Sequence, residues 1–152
     1  MMKVFLCCFA GWGGIMRLSD DTVTLYNAYY DKANDCTAYA RTVIRGVSWY
    51  VHSKSTVDKD GLKAANEFIV RIPADADFGG KLYLPPSAFD TLKSPSDVFT
   101  LKGGDFIVKG VCDDENPVPA RMRKAYDAVM TILAVTDNRR APNAKHWKVV
   151  GA

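Results

Sequence analysis

The sequence predicts a mainly β fold, a small antiparallel β-barrel with one or two short helices, formed by a single domain over residues 16–152. Three observations lead to this prediction. The chain has 152 residues, the size of one ordinary domain. Its apolar stretches are short, rich in β-branched and aromatic residues, and separated by turn residues. No regular alternation of strands and long helices is present, so a parallel βαβ fold is not expected.

The first half of the chain contains three predicted strands. Residues 22–30 (TVTLYNAYY) and 39–50 (YARTVIRGVSWY) are rich in Val, Thr, Ile and Tyr, which is typical of strands. Residues 67–73 (EFIVRIP) alternate strictly between apolar and polar positions. Gly46 interrupts the second run, which predicts a bulge or a sharp bend there.

The second half contains shorter elements. Residues 98–101 and 106–112 flank Gly103 and Gly104, and this pattern predicts a β-hairpin whose turn places at least one of the two glycines at positive φ. Ser87 is the expected N-cap of a single helical turn. The other predicted elements are a short strand at residues 81–84, that helical turn at 87–92, a short helix at 120–128, and strands at 129–135 and 145–150.

The alternation within the strands predicts which side chains form the core. A one-sided sheet buries every second residue, so the apolar positions in phase with one another are expected to be buried together. The predicted core residues are Val23, Leu25, Val43, Val47, Phe68, Val70, Ile72, Phe106, Val108, Ile132 and Val149.

One long polar segment, residues 52–66 (HSKSTVDKDGLKAAN), lies between two predicted strands. Its only sizeable apolar side chains are Val57 and Leu62, too little surface to offset the backbone entropy of ordering the segment. We therefore predict a mobile, net-positive loop that projects from a rigid base. Its lysines either contact a neighbouring molecule or DNA, or the segment is a tolerated surface insertion.

The motifs of common enzymes are absent from the sequence. It contains no G-x-S-x-G, no phosphate-binding loop of the Walker type and no H-E-x-x-H. The four cysteines and two histidines do not show the close ligand pairs of a zinc site. Cys112 beside Asp113, and His146 beside Trp147, are better explained as ordinary strand residues than as a nucleophile and a base. We predict that the chain is not an enzyme and uses no cofactor or metal.

The first fifteen residues (MMKVFLCCFAGWGGI) combine one lysine with an apolar stretch but lack a good cleavage site. Residues 13–16, Gly-Gly-Ile-Met, can be encoded by a purine-rich run a few nucleotides before an ATG, as in a bacterial ribosome-binding site. We therefore predict that residues 1–15 are a translated leader or a mis-assigned start. A targeting segment is the alternative.

Positive charge is concentrated at the C-terminal end. Residues 121–152 contain seven basic residues and two aspartates, a net charge of +5, whereas the whole chain carries +3. A basic surface with aromatic rings nearby, such as those of Tyr126 and Trp147, is compatible with nucleic-acid binding. Arg and Trp are also enriched at protein interfaces, so an oligomer or partner interface is an equal alternative.

Three stretches carry a resemblance to a known family: residues 25–49 (LYNAYYDKANDCTAYARTVIRGVSW), 99–110 (FTLKGGDFIVKG) and 135–149 (VTDNRRAPNAKHWKV). The sequence resembles small structural proteins encoded in the head-to-tail gene module of phages and prophages of Gram-positive bacteria. Members of this group are minor capsid, head–tail joining or head-closure proteins. The ending T-D-N-R-R…H-W-K-V is the most specific part of the resemblance.

The resemblance implies a virion structural protein of the head–tail connector, or neck. Head-closure proteins are small β-barrels that assemble as a ring beneath the portal and adaptor, join them to the tail, and use loops to retain DNA in the channel. The expected partners are therefore portal or adaptor, tail-completion or tail-tube proteins, further copies of the chain in a ring, and channel DNA, but no membrane. The expected location is the virion, and the host cytoplasm before assembly, where a monomer is compatible with this role.

Two other functions are compatible with the same residues: an OB-like nucleic-acid-binding module, and another neck or tail-completion protein. In all three cases the candidate interface or channel residues are Lys54, Lys59, Lys63, Arg139, Arg140, His146 and Trp147.

Overall fold

The computed structural model describes residues 20–115, 117–126 and 128–152 of the chain. Over this part the protein is mainly β, with 53% of residues in strands and two short helices. This confirms the predicted class. The leader predicted over residues 1–15 lies outside the described residues.

The strands are longer than predicted at the start of the chain and shorter in its middle. In chain order they are β1 (Asp21–Asp31), β2 (Cys36–Asp58), β3 (Gly61–Pro73), β4 (Leu82–Tyr83), β5 (Val98–Phe99), β6 (Phe106–Lys109), β7 (Val129–Asp137) and β8 (His146–Gly151). The helices are α1 (Pro86–Phe89), between β4 and β5, and α2 (Pro119–Ala125), between β6 and β7.

Six strands form one large antiparallel sheet. Their order is β1-β2-β3-β8-β7-β6, and β6 also pairs with β1, so hydrogen bonding continues from the last strand of the series to the first. The strands do not stand evenly round one axis. The short strands β4 and β5 form a separate parallel pair.

The turn predicted at Gly103 and Gly104 is present, with Gly104 at φ 93°, but the hairpin prediction is wrong. β5 pairs with β4, whereas β6 lies between β1 and β7. The reason is the buried Asp105, whose carboxylate accepts hydrogen bonds from the backbone N–H of Ala28 (3.0 Å) and from Asn27 Nδ2 (2.8 Å). These bonds attach the end of the turn to β1, so the chain does not fold back on β5.

The bulge predicted at Gly46 is confirmed. Gly46 has φ 83°, which glycine adopts without a steric penalty, and the register between β1 and β2 shifts at this point. An extra residue reverses the phase of a strand. Ile44 is therefore buried before the bulge and Val47 after it, whereas Val43, which was predicted to share a face with Val47, is only half-buried.

The apolar side chains form two clusters on opposite faces of the sheet. The larger lies on the inner face, with Phe68 half-buried at its margin. It includes seven of the eleven predicted core residues: Val23, Leu25, Val47, Val70, Ile72, Ile132 and Val149. The smaller cluster lies on the outer face beneath α2. Its members are Tyr26, Phe106, Val108, Cys112, Met122 and Val129.

The smaller cluster corrects the predicted core. The side chains of Phe106 and Val108 are buried as predicted, but they belong to the outer cluster, and Ile107 between them faces the inner one. α2 packs on the outer face through Met122, its buried side chain. α1 is also shifted from its prediction: Pro85 rather than Ser87 occupies the N-cap, with no side-chain capping bond.

An aromatic cluster closes one end of the inner core. The ring of Phe99 stacks on Phe78 at a centroid distance of 4.8 Å, and Tyr83 lies 4.9 Å from Trp147. Three of these rings come from the segment between β3 and β6, and Trp147 comes from β8. The segment thus packs across the sheet and buries Trp147 to 3% exposure.

Candidate functional site

The most unusual feature of the fold is a two-stranded ribbon, residues 51–66, which we call the arm. β1 pairs with β2 only as far as Val47, and β8 pairs with β3 only as far as Phe68. Beyond these points β2 and β3 continue as a pair up to Asp58 and Gly61. At about 3.3 Å per residue the arm extends roughly 23 Å beyond the rest of the sheet.

The arm corrects the prediction that this segment is a long loop; its mobility stays a prediction. Residues 52–66 are a regular hairpin whose turn is Lys59-Asp60, followed by Gly61 at φ 112°. The backbone entropy of ordering the segment favoured a loop. In the structure, the pairing of β2 with β3 continues through it in the register that begins at Ser48 opposite Arg71. The alternation of small and apolar residues at Val51, Ser53, Ser55 and Val57, together with the Asp60-Gly61 pair, was the available sequence signal.

The two faces of the arm differ in charge. Directly opposed residues in an antiparallel pair share a face. The face that continues the buried side of the sheet carries no charged residue; its members include Val51, Ser53, Ser55, Val57, Leu62, Asn66 and Phe68. At the tip of this face Val57 and Leu62 oppose each other and are 81% and 72% exposed. These two apolar side chains are therefore available to a partner.

The opposite face of the arm carries the charges. Lys54 Nζ lies 2.9 Å from Glu67 Oε2, and His52 Nδ1 lies 3.8 Å from the same oxygen. The hydrogen bond from Lys54 is the main cause that lowers the pKa of Glu67. Lys59 is exposed at the turn, and Lys63 takes the register position opposite Thr56. Of the predicted lysines, Lys54 is therefore engaged within the arm.

The other predicted site residues lie at the far end of the sheet. β3 starts at the arm tip with Gly61 and ends at Pro73, which pairs with His146. Trp147 pairs with Asp137, two residues before Arg139. The structure thus brings Arg139, His146 and Trp147 together, but it separates them from the arm tip by about 40 Å along β3. The predicted residues form two groups, not one surface.

The guanidinium group of Arg139 is held within the chain. It donates to Asp137 through Nε (2.9 Å to Oδ1) and Nη2 (2.7 Å to Oδ2). This pairing lowers the pKa of Asp137. The same group lies over the rings of Trp147 (4.7 Å) and Tyr83 (4.9 Å). Arg139 therefore covers the aromatic cluster, and the basic residues Arg140 and Lys145 are also exposed at this end.

His146 and Trp147 are also engaged within the chain. His146 Nδ1 donates to the backbone carbonyl of Ala144 at 2.6 Å, and its Nε2 lies 3.2 Å from Asn138 Nδ2. Both ring nitrogens thus hold the loop that precedes β8. Trp147 is buried, so its ring packs within the chain and presents little surface to a base or a partner; its role as an interface residue stays a prediction.

The most strongly perturbed carboxyl group is that of Asp105, which is 1% exposed. Burial raises its pKa to about 6, although the hydrogen bonds from Asn27 and Ala28 act in the opposite direction. Asn27 Nδ2 also donates to the carbonyl of Thr100 (2.7 Å), and Lys102 Nζ donates to the carbonyl of Ala28 (2.8 Å). The group is enclosed by the chain itself, so we assign it a structural role.

The raised pKa of Asp105 predicts a pH-dependent stability. The pKa of Asp105 is about 6 in the folded chain and 3.8 ordinarily. The contribution of protonated Asp105 to the free energy of unfolding is therefore fully present below about pH 4 and is lost as the pH rises through 6. The difference between these two pKa values corresponds to about 3 kcal/mol of unfolding free energy. The Asp105→Asn variant cannot ionise at this position, so the stability it loses between pH 4 and pH 7 should be smaller than that of the unmodified chain by up to about 3 kcal/mol.

Urea unfolding of both proteins at the two pH values measures this effect. The Asp105→Asn side chain also lacks one of the two acceptor oxygens, which lowers stability at every pH, so only the difference between the pH values is informative. Equal pH dependence in the two proteins would contradict the assignment.

Sequence comparison gives one family match, which extends over residues 18–152 and is described as a family of unknown function, DUF6751. The chain belongs to DUF6751. No curated protein and no solved structure matches it. The family assignment covers the whole sheet and the arm, so the arm of this DUF6751 chain lies inside the family region.

The part of this DUF6751 chain that the structure describes lacks a cluster of metal-ligating side chains and a helix able to span a membrane. There, no group of three His, Cys, Asp or Glu side chains is arranged to hold a metal ion. None of the helices in that part has the length and apolar character needed to cross a membrane. The features that sequence reasoning missed are the paired strands of the arm, the Lys54–Glu67 ion pair and the uncharged face.

Proposed function

We propose that this chain is a virion structural protein of the phage head–tail connector: a head-closure-like ring component that joins the portal or adaptor to the tail. We further propose that its body is a small antiparallel β-barrel in which the pairing of β6 with β1 closes the sheet. Its partners are then neighbouring neck proteins and further copies of itself. Its locations are the virion and, before assembly, the host cytoplasm.

The observation that carries this proposal is the arm. Every described side chain of residues 51–66 is exposed, and the tip holds the apolar pair Val57 and Leu62. A two-stranded ribbon without covering elements is marginally stable in water and gains stability from contact with another molecule. An element of this kind suits a subunit that acts by assembly, and it agrees with the resemblance to connector proteins.

The positions of the resembling stretches give a second line of support. Asp105 in the G-D-F-I-V-K-G stretch fixes a turn on β1. In the C-terminal stretch Trp147 lies in the inner core, and Arg139, paired with Asp137, lies over its ring. These residues maintain the fold. The resembling stretches therefore lie in the part of the chain that forms the fold, as expected for proteins that share a scaffold. The arm lies outside them and, in this proposal, determines the contacts with partner proteins.

Channel DNA is a further partner in this proposal. Lys59 places a cationic side chain at the exposed tip of the arm. If the arms point into a ring channel, these lysines face the phosphate groups of DNA. The OB-like alternative lacks an observation of its own, since Trp147 is buried and Arg139 is bound to Asp137.

The experiment is deletion of the gene in the phage or prophage that encodes it, with the full chain supplied from a plasmid as the control. The proposal expects DNA-filled or leaking heads and separate, unjoined tails in electron micrographs, and plasmid rescue of infectivity. An unchanged titre after deletion would contradict it. Tight binding of purified chain to single-stranded DNA, with a steep salt dependence, would favour the OB-like alternative instead.

A further inference from the structure

Among the described residues (20–115, 117–126 and 128–152), no strand pairs with either long edge of the arm. The pairing of β2 with β1 ends at Val47, and the pairing of β3 with β8 ends at Phe68. In an antiparallel ribbon, alternate residues direct their N–H and C=O groups away from the partner strand. The arm therefore presents two rows of outward backbone donors and acceptors, one along residues 51–58 and one along residues 61–67.

Several of the usual protections of such edges are missing from the described part of the arm. Exposed strand edges are normally protected by proline, a bulge, a covering element or charged side chains, lysine above all, because otherwise they pair with another chain. Residues 51–67 contain no proline. The register is constant from Ser48 opposite Arg71 to Asp58 opposite Gly61, so no bulge is present in this described pair. The Lys54 ammonium group is drawn across the face to Glu67. Both edges are thus regular and accessible.

The two edges complement each other. β2 and β3 run in opposite directions, so the β3 edge of one copy can pair in antiparallel fashion with the β2 edge of the next copy at the same height. This pairing repeats between copies the contacts already made within the arm: Lys54 opposite Ala65, His52 opposite Glu67, and Val57 opposite Leu62. Like charges are not brought directly opposite each other.

We propose that the arms of neighbouring copies of this chain pair edge to edge, β3 of one with β2 of the next, into a shared antiparallel sheet. The occupant of each edge is a second copy of the chain. The uncharged faces then lie side by side and gather the apolar tips into a continuous strip, and the charged faces lie on the other side. The contact is heterologous, so repetition gives a ring or an open array.

This inference names the contact between subunits and goes beyond the proposed role in the virion. It is tested on the purified chain, so its outcome does not depend on whether the protein belongs to a neck. The starting protein has Cys7, Cys8 and Cys36 replaced by serine, and the buried Cys112 is kept.

The probes are two variants with one added cysteine each, Ser53→Cys and Asn66→Cys, whose positions oppose each other on the uncharged face. In the proposed contact, position 53 of one copy lies beside position 66 of the next, with Cα atoms about 5 Å apart, within disulfide range. An equal mixture of the two variants under mild oxidation should give a disulfide-linked heterodimer as the main product. Each variant alone should give little dimer.

The register control mixes Ser53→Cys with Leu62→Cys, on the same face but four residues out of register, roughly 13 Å along the strand. This mixture should remain monomeric on a non-reducing gel. Circular dichroism checks that each variant is folded. A mixture of the 53 and 66 variants that stays unlinked at every concentration overturns the proposal. Efficient homodimers of Ser53→Cys alone overturn it too, because they indicate two-fold pairing of β2 with β2.

Discussion

Shortening the arm should abolish assembly while leaving the domain folded. Replacing residues 54–65 by a Gly-Ser turn removes most of the exposed ribbon but keeps Trp49 and Val70, which are buried at its base. Few buried contacts are lost, so we expect a change in unfolding free energy of less than about 1 kcal/mol. In the deletion strain, however, this variant should rescue infectivity several orders of magnitude less well than the full chain.

A control for this variant is a change in another exposed hairpin of the sheet. The turn between β1 and β2, residues 32–35, is also exposed, and replacing it by an Asn-Gly turn should leave both stability and infectivity close to those of the full chain. Thermal unfolding and plaque titres measure the two quantities. Normal titres with the shortened arm would reduce the arm to a tolerated surface insertion, the alternative set out from the sequence.

Replacing Phe99 by alanine should have the largest effect on stability. Its ring is fully buried and packs against Phe78 (4.8 Å) and Tyr83 (5.7 Å), with Trp147 at 6.4 Å. Removing a buried phenylalanine ring costs about 3–5 kcal/mol, partly from the lost burial and partly from the cavity. For a domain of this size the expected fall in Tm is on the order of 10 °C.

The comparison for Phe99→Ala is Phe68→Ala. Phe68 was predicted to lie in the core but is half-buried at the base of the arm, where its ring lies 5.4 Å from Trp49. We expect the smaller loss of about 1–2 kcal/mol for this change. Chemical denaturation of both variants gives the ranking. A loss below about 1 kcal/mol for Phe99→Ala would mean that the aromatic cluster does not hold the end of the core.

The class of the fold could be predicted because strand alternation is a local property. The residues of β1, β3 and β7 show the composition or alternation of strands within their own sequence. Gly46 likewise indicates the bulge, because glycine readily adopts its positive φ. The pairing of β5 could not be predicted in the same way. It depends on Asp105 binding to β1, a contact between residues 77 positions apart, and a Gly-Gly turn is compatible with either outcome.

The candidate site was predicted in part, again for physical reasons. The polar run of residues 52–66 was located correctly as a projecting segment, but its order comes from a register that starts at Ser48 and Arg71, outside the segment. In the sequence, Trp147 lies in a predicted strand within the basic C-terminal region. Its burial depends on rings contributed by residues 78, 83 and 99, which only the folded chain brings to it.

The central claim is that this chain is a structural subunit of the neck, and the most direct test is its copy number in purified particles. Quantitative mass spectrometry of gradient-purified virions, washed free of soluble protein, should detect the chain in one fixed ratio to the portal subunit from one preparation to the next. Detection of the chain in the lysate but not in the washed particles, or in a ratio to portal that varies between preparations, would contradict the claim.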